Sequence, residues 1–317
     1  MKLSIIVPVY YNEMNLEDLY EKLSNVVFPK LEDYELIFVD DGSKDSSYKK
    51  MKELQNKYPK IKLIKLVKNY GSFVAILAGL SNCSGDCACA ISADLQDPPE
   101  IILQMLEKLK GDVTTVLAVR KDREESFVQK FLSNTYYKLM NKFALSNMPK
   151  GGFDCFMINR KIIDYITDMK EKNTSLTGQV LWCSEKIERI YYVRKKREKG
   201  KSRWTLSKKI KYFIDSFVSF SYFPIRFMTF LGILFFTLSI IFTIIFVLLK
   251  LNNIILVPGW TTLVVLILFT SGLQMFMTGI LGEYLWRAYD EVRKRPVYLI
   301  EKIETCEKSK IGEKNEN

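Results

Sequence analysis

Along the first 120 residues, short β-branched runs alternate with stretches in which apolar side chains recur every three or four positions. The first pattern predicts strands at Leu3–Val9, Tyr34–Asp40, Ile61–Leu66, Cys87–Ser92 and Val113–Val119. The second predicts helices at Asn15–Val26, Ser46–Lys57, Phe73–Cys83 and Pro99–Leu109. A βαβα order implies a parallel sheet with helices on both faces, whose ligands bind beyond the carboxyl ends of the strands.

The pattern changes near residue 226. Phe227–Leu249 is 23 residues without a charge, and Trp260–Leu281 is a second uncharged run. Each is long enough to cross a bilayer, which takes about 20 helical residues. With Lys250, Asn252, Asn253, Pro258 and Gly259 between them, they predict a two-helix transmembrane hairpin. Lys208, Lys209, Lys211 and Arg226 precede it, and Arg287, Arg293, Lys294 and Arg295 follow it. The positive-inside rule puts both ends in the cytoplasm of a multi-pass protein of the plasma (inner) membrane. The opening MKLSIIVPVYYNE has too short an apolar stretch for a secretory signal. Just before the first span, Ile210, Phe213, Ile214, Phe217 and Val218 share one face, as in a helix lying in the membrane interface. A similar stripe, Val128, Phe131, Leu132, Thr135, Leu139 and Phe143, marks a second such helix, for which packing on the soluble part is the more frequent fate. Beyond Arg295 the charged, aperiodic sequence predicts a mobile tail.

Composition narrows the chemistry. The 317 residues contain no histidine, which excludes Ser-His-Asp triads, imidazole bases and His-ligated zinc. Six cysteines show no C-x-x-C spacing and read as reduced thiols. The net charge of +11 is concentrated: from Arg194 to Lys211 ten basic residues face one glutamate, beside the first span. That position favours a lipid headgroup or a phosphorylated substrate over nucleic acid.

Polar side chains gather where strands end. Strand one runs into Pro8-Val9-Tyr10-Tyr11-Asn12-Glu13, strand two into Asp40-Asp41-Gly42-Ser43, and strand four into Ala93-Asp94-Leu95-Gln96-Asp97-Pro98-Pro99-Glu100. Neither G-x-G-x-x-G nor a P-loop is present, so no glycine-rich nest holds phosphate. Carboxylates at these ends suit a hard cation between protein and diphosphate, Mg2+ or Mn2+, with Asp94 and Gln96 as candidate ligands. For Asp40 and Asp41 an ordinary turn is the competing reading.

These segments resemble the family 2 glycosyltransferases of GT-A fold, and Lys201-Ser202-Arg203-Trp204 followed by two spans looks like their polyprenyl-phosphate branch, which includes bactoprenol glucosyltransferases and dolichol-phosphate mannose synthases. The resemblance implies an α/β, Rossmann-like mixed sheet carrying interfacial amphipathic helices and the transmembrane hairpin. It divides the chain into a catalytic domain (1–206), an interfacial helix (207–226), spans at 227–249 and 260–281, and a cytoplasmic tail (282–317). By similarity, Pro8, Tyr10, Glu13 and Asp41 surround the nucleotide, with Asp40 supporting that edge. Asp94 and Gln96 match the metal-holding positions, and Arg120, Arg197, Lys201 and Arg203 match positions that meet phosphate oxygens. Two departures stand out: Ser92-Ala93-Asp94 replaces the usual Asp-Ala-Asp, and Gly151-Gly152-Phe153-Asp154-Cys155 replaces Gly-Asp-Phe-Arg. Asp154 either approaches the acceptor from a shifted register, as a catalytic residue, or caps local structure.

The implied reaction is inverting, metal-dependent transfer of one sugar from a nucleotide-diphosphate donor such as UDP-glucose to undecaprenyl phosphate. A lipid monophosphate, with its second pKa near ~6, is already an oxyanion at neutral pH, so the lack of histidine costs this chemistry nothing. A processive polysaccharide synthase is the nearest rival, but Gln179-Val180-Leu181-Trp182 lacks the arginine of Gln-x-x-Arg-Trp. A non-catalytic nucleotide-sugar-binding scaffold is the alternative from another class. The resemblance also allows a homo-oligomer, up to a tetramer, with Gly272, Gly279 and Gly282 permitting close helix contact.

Overall fold

The computed structural model describes residues 1–121, 135, 137–145, 147–149, 151–194, 206–252 and 259–305. They form two compact units, one comprising Met1–Ser216 and the chain from Pro296, the other Phe217–Arg295.

In the first unit, β1 (Lys2–Val9), α1 (Leu16–Val26), β2 (Asp33–Asp40), α2 (Ser47–Lys57), β3 (Ile61–Leu66), α3 (Ser72–Leu80), β4 (Cys87–Ala90), α4 (Glu100–Lys108) and β5 (Thr115–Arg120) follow one another as the alternating pattern predicts. Then come β6 (Phe153–Asn159), α5 (Arg160–Met169), α6 (Leu176–Cys183), β7 (Ile187–Tyr192), α7 (Leu206–Phe220) and, after the second unit, β8 (Ile300–Thr305). The eight strands make one sheet in the order β7-β5-β6-β4-β1-β2-β3-β8. It is mixed. The pairs β1–β2, β1–β4, β2–β3 and β5–β7 are parallel, whereas β6 runs antiparallel to both its neighbours and β8 antiparallel to β3.

Both faces of the central strands are covered, which explains why β1 and β2 read as nearly continuous apolar runs. Leu3, Ile5, Val7 and Val9 lie in one core with Leu16, Leu19 and Leu23 of α1, Met51 of α2 and Ile101, Ile102 and Met105 of α4. On the other face α3 approaches so closely that a Cβ on Gly79 would overlap the Ile6 side chain. With the faces sealed, the carboxyl ends of the strands are left for polar chemistry.

The chain beyond Arg295 departs from expectation. Ile300–Thr305 is not a mobile tail but an edge strand paired with β3. Gln55 Nε2 donates to the carbonyl oxygens of Ile61 (3.2 Å) and Glu304 (2.8 Å), Tyr48 donates its hydroxyl to Glu304 Oε1 (2.8 Å), and Lys65 pairs with Glu301 (2.8 Å). Only Ile300 and Glu304 of this strand are even partly covered, so ladder and side-chain hydrogen bonds hold it rather than apolar burial. Charged side chains and the register shift at Lys65/Leu66 also suit an edge that must not recruit another strand.

Midway along α7, the Tyr212 hydroxyl lies 3.0 Å from Ser175 Oγ and 2.5 Å from Thr177 Oγ1, and its ring stacks on Phe73. Ser175 also caps α6 by accepting from Gly178 N. These contacts tie the amphipathic helix to the sheet-bearing unit. Of the stripe Val128–Phe143, Val128, Phe131 and Leu132 lie outside the described residues.

The second unit holds two long helices, α8 (Phe223–Leu251) and α9 (Trp260–Val292), with Phe235 of one against Phe269 of the other. Among the described residues one stretch, Phe223–Phe242 with mean hydropathy 2.1, is long and apolar enough to cross a membrane. The second expected run forms the first part of α9.

Candidate active site

At the ends of β1 and β2 the protein supplies its own donors. Asp41 is buried, and its carboxylate accepts from Asn69 Nδ2 (2.7 Å), Tyr70 N (2.7 Å) and Gly71 N (2.8 Å). This closes the Asp40–Ser43 turn onto the loop after β3. A Cβ on Gly42 (φ +70°) would lie 2.6 Å from the Lys68 carbonyl carbon, so only glycine allows the approach. Asp40 accepts from Ser43 N through Oδ1, while its buried Oδ2 has no hydrogen-bond partner among the described residues. Burial pushes the Asp40 carboxyl above its ordinary value, against the Ser43 hydrogen bonds. Glu13 accepts from Ser46 N (2.8 Å) at the head of α2. Tyr11, in the left-handed region at φ +56°, donates its N–H to Ser43 Oγ, and Tyr10 N–H to Asn12 Oδ1, beside the half-buried Pro8.

Two strands away the arrangement differs. Ser92 Oγ lies 2.8 Å from both Asp94 Oδ1 and Asp97 Oδ2. One hydroxyl proton serves only one of them at a time. The intervening Leu95 is held at φ +57°, and Gln96 N–H donates to Asp94 Oδ1 (3.2 Å). Backbone strain of this kind, roughly 1–3 kcal/mol per residue, concentrates at functional loops. The Tyr192 hydroxyl at the end of β7 donates to Asp97 Oδ1 (2.5 Å), and burial together with that carboxylate pushes the phenol pKa up. From the neighbouring strands come Arg120, on the last residue of β5 just past a slip in the β5–β6 ladder, and Asp154 on β6. Their side chains form a close ion pair. Arg194 then reaches all three carboxylates: Nη2 lies 3.7 Å from Asp94 Oδ2, Nε 3.4 Å from Asp97 Oδ1, and Nη1 3.5 Å from Asp154 Oδ2.

Of the sequence-derived candidates, the structure therefore groups Asp94, Gln96, Arg120 and Asp154, and groups Pro8, Tyr10, Glu13, Asp40 and Asp41 beside them, since β4 pairs with β1 and β1 with β2. Arg197, Lys201 and Arg203 lie outside the described residues. Asp154 is a strand residue in an ion pair, not a local cap. Asp97, Tyr192, Arg194 and Asn69 enter the site unannounced. Asp97 could have been found as the next carboxylate along from Asp94 in a motif whose first carboxylate is replaced by Ser92, and Arg194 as the first cation of the basic run. No three acidic or cysteine side chains among the described residues form a ready-made metal cage. Yet Asp94 and Asp97 are hard oxygen donors that already enclose a cationic group, and a divalent ion fits that donor set. The thiols do not compete: Cys87 and Cys183 are free, and burial pushes them up to about 12 and about 11.

A mixed α/β sheet with acidic loops at the carboxyl ends of β1, β2 and β4 defines a GT-A-like fold of the nucleotide-sugar transferases. Residues 4–167 match the glycosyl transferase family 2 pattern, and the chain belongs to that family of glycosyltransferases. It is 36% identical to the uncharacterized glycosyltransferase YkcC of Bacillus subtilis over 97% of this chain and 96% of the relative. It is 32% identical to the prophage bactoprenol glucosyl transferase homolog of Escherichia coli, over 96% and 99%. Among solved structures it is similar to the mannosyltransferase PcManGT from Pyrobaculum calidifontis in complex with GDP-Man and Mn2+, at 15% identity and TM-score 0.47, over 66% of this chain and 60% of that one.

Proposed function

We propose that this glycosyltransferase moves a single sugar, glucose or a similar hexose, from a nucleoside diphosphate to the phosphate of a polyprenyl lipid such as undecaprenyl phosphate, with inversion, at the cytoplasmic membrane face. The observation that carries the reading is the convergence of Asp94, Asp97 and Asp154 with Arg120 and Arg194 at adjoining strand ends. Near-full-length similarity to a bactoprenol glucosyl transferase homolog supports the acceptor class.

In this reading Pro8, Tyr10, Glu13 and Asp40 line the nucleotide pocket, and Asp41 shapes it by fixing the Asn69–Gly71 loop. Asp94 and Gln96, with Asp97 alongside, would hold Mg2+ or Mn2+. When bound, such an ion neutralises charge on the departing diphosphate. Arg120 meets phosphate oxygens, as do Arg197, Lys201 and Arg203 from the basic segment. Asp154 orients Arg120 and Arg194 and is not required as a base, because the acceptor phosphate arrives ionised. Catalysis then rests on charge placed where it develops and on alignment of two anions.

Chain connectivity supports the membrane arrangement. The segments on either side of the second unit both belong to the first, and β8 is hydrogen-bonded into the same sheet as β1. A chain that leaves the sheet and returns to it crosses a bilayer an even number of times. Phe223–Phe242 is apolar enough for one crossing; in this reading α9 makes the other, α7 lies in the interface, and the basic flanks put the catalytic domain in the cytoplasm.

The test is transfer of radiolabel from UDP-glucose, other UDP-sugars and GDP-mannose to undecaprenyl phosphate by the detergent-solubilised protein with Mn2+. Label is expected in the organic phase as a mono-glycosylated lipid. No lipid-linked sugar from any of these donors ends the proposal, and a long glycan would replace it with a processive synthase.

A further inference from the structure

We propose that Arg194 is the resident counter-cation of the donor site, holding the place of the divalent ion until that ion arrives with a nucleoside diphosphate, and then turning to the incoming phosphates. The inference rests on the metal site proposed above and goes beyond it in assigning a role to a residue outside that ligand set.

Three features lead to it. Among the described residues, Arg194 is the one group that touches Asp94, Asp97 and Asp154 together, and it brings positive charge to all three. Its contacts are loose. At 3.4–3.7 Å all three exceed the ~2.7–2.9 Å of a charge-assisted hydrogen bond, and Nε makes no hydrogen bond among the described residues. Arg120, by contrast, grips Asp154 closely and is almost fully buried. Charge alone therefore keeps Arg194 in place, and a stronger cation displaces it without breaking a directed bond. Its side chain is also 23% exposed, enough to swing without unpacking the core.

The third feature is position in the chain. Arg194 directly precedes Lys195, Lys196, Arg197, Lys199, Lys201 and Arg203. A divalent ion that takes Asp94 repels the guanidinium, while a nucleoside diphosphate offers it new oxygens at the same moment. Ion and nucleotide thus bind more tightly together than apart. Free ion without nucleotide binds poorly because it must evict Arg194 with nothing to receive it.

The experiment is Mn2+ binding by the full chain in detergent, read from the electron paramagnetic resonance signal of free Mn2+, with and without UDP. Wild type is expected to bind Mn2+ weakly alone and far more tightly with UDP. Arg194→Gln should bind Mn2+ alone about tenfold more tightly than wild type, since one opposing charge is gone from the site. It should also lose most of the gain that UDP gives. Arg194→Lys, which keeps the charge on a single point with shorter reach, should fall between the two, and it carries the test if the glutamine variant does not fold. Mn2+ affinity in the absence of UDP that is no higher in either variant than in wild type overturns the role of Arg194. Wild type that takes no Mn2+ even with UDP overturns the metal site itself, so the two failures are distinguishable. Neither result depends on lipid transfer.

Discussion

Two acidic strand ends, Asp40-Asp41 after β2 and Asp94 to Asp97 after β4, look alike as sequence and differ in how their charge is met. Asp41 is saturated by one side-chain amide and two backbone N–H groups, short bonds that weld two loops together. Asp94 and Asp97 share one serine proton and a guanidinium at ion-pair distance. The first carboxylate is spent on architecture. In the proposed reading the second pair receives an exchangeable cation, and the two ends would then differ as an acidic turn differs from an acidic site.

The contrast breaks most visibly through Asp94→Asn. Transfer should fall about 10²–10³-fold, the scale of losing a major electrostatic contact in the transition state, while the melting temperature stays near that of the parent. Equal turnover would make the β4 loop structural after all. Asp41→Asn should do the opposite. Replacing a buried carboxylate that accepts three hydrogen bonds should cost about 2–3 kcal/mol in urea unfolding, against little change for Asp94→Asn. Glu304, on the edge strand, sharpens the comparison with a partly covered carboxylate: Glu304→Ala loses the Tyr48 bond and the nearby lysines, for about 1 kcal/mol in the same assay. The smallest effect concerns pH. Burial raises the Asp40 pKa, so the folded chain keeps this proton to higher pH than the unfolded chain does. Its stabilising contribution is complete below the ordinary carboxylate pKa of ~3.9 and is lost as pH rises through the raised value. Asp40→Asn should therefore flatten the decline in melting temperature as pH rises above the ordinary carboxylate range, and an unchanged slope would contradict the shift.

β1, β2 and β5 were legible because apolar, largely β-branched residues fill both faces of a buried sheet, and the acidic loops were legible because they interrupt such runs. The later strands were not. In β6, Phe153-Asp154-Cys155-Phe156-Met157-Ile158-Asn159 has no clean period, since one strand serves as antiparallel wedge and as carrier of Asp154. In β8, four of six residues are exposed, so the apolar signal that marks a strand is absent and the ladder with β3 leaves no trace in composition. Within the site, Asp94 and Arg120 could be read from strand ends, and Asp154 only from the family resemblance. Arg194 was hidden among ten basic residues, and only geometry picks out the cation that touches three carboxylates.

The strand that completes the sheet has a bearing on biogenesis. β8 leaves the ribosome after both long helices, so until then the nascent catalytic unit still has the bare flank of β3. Closure of that flank becomes the last pairing step of the sheet, and a chain halted before Ile300 presents an open strand to chaperones and proteases.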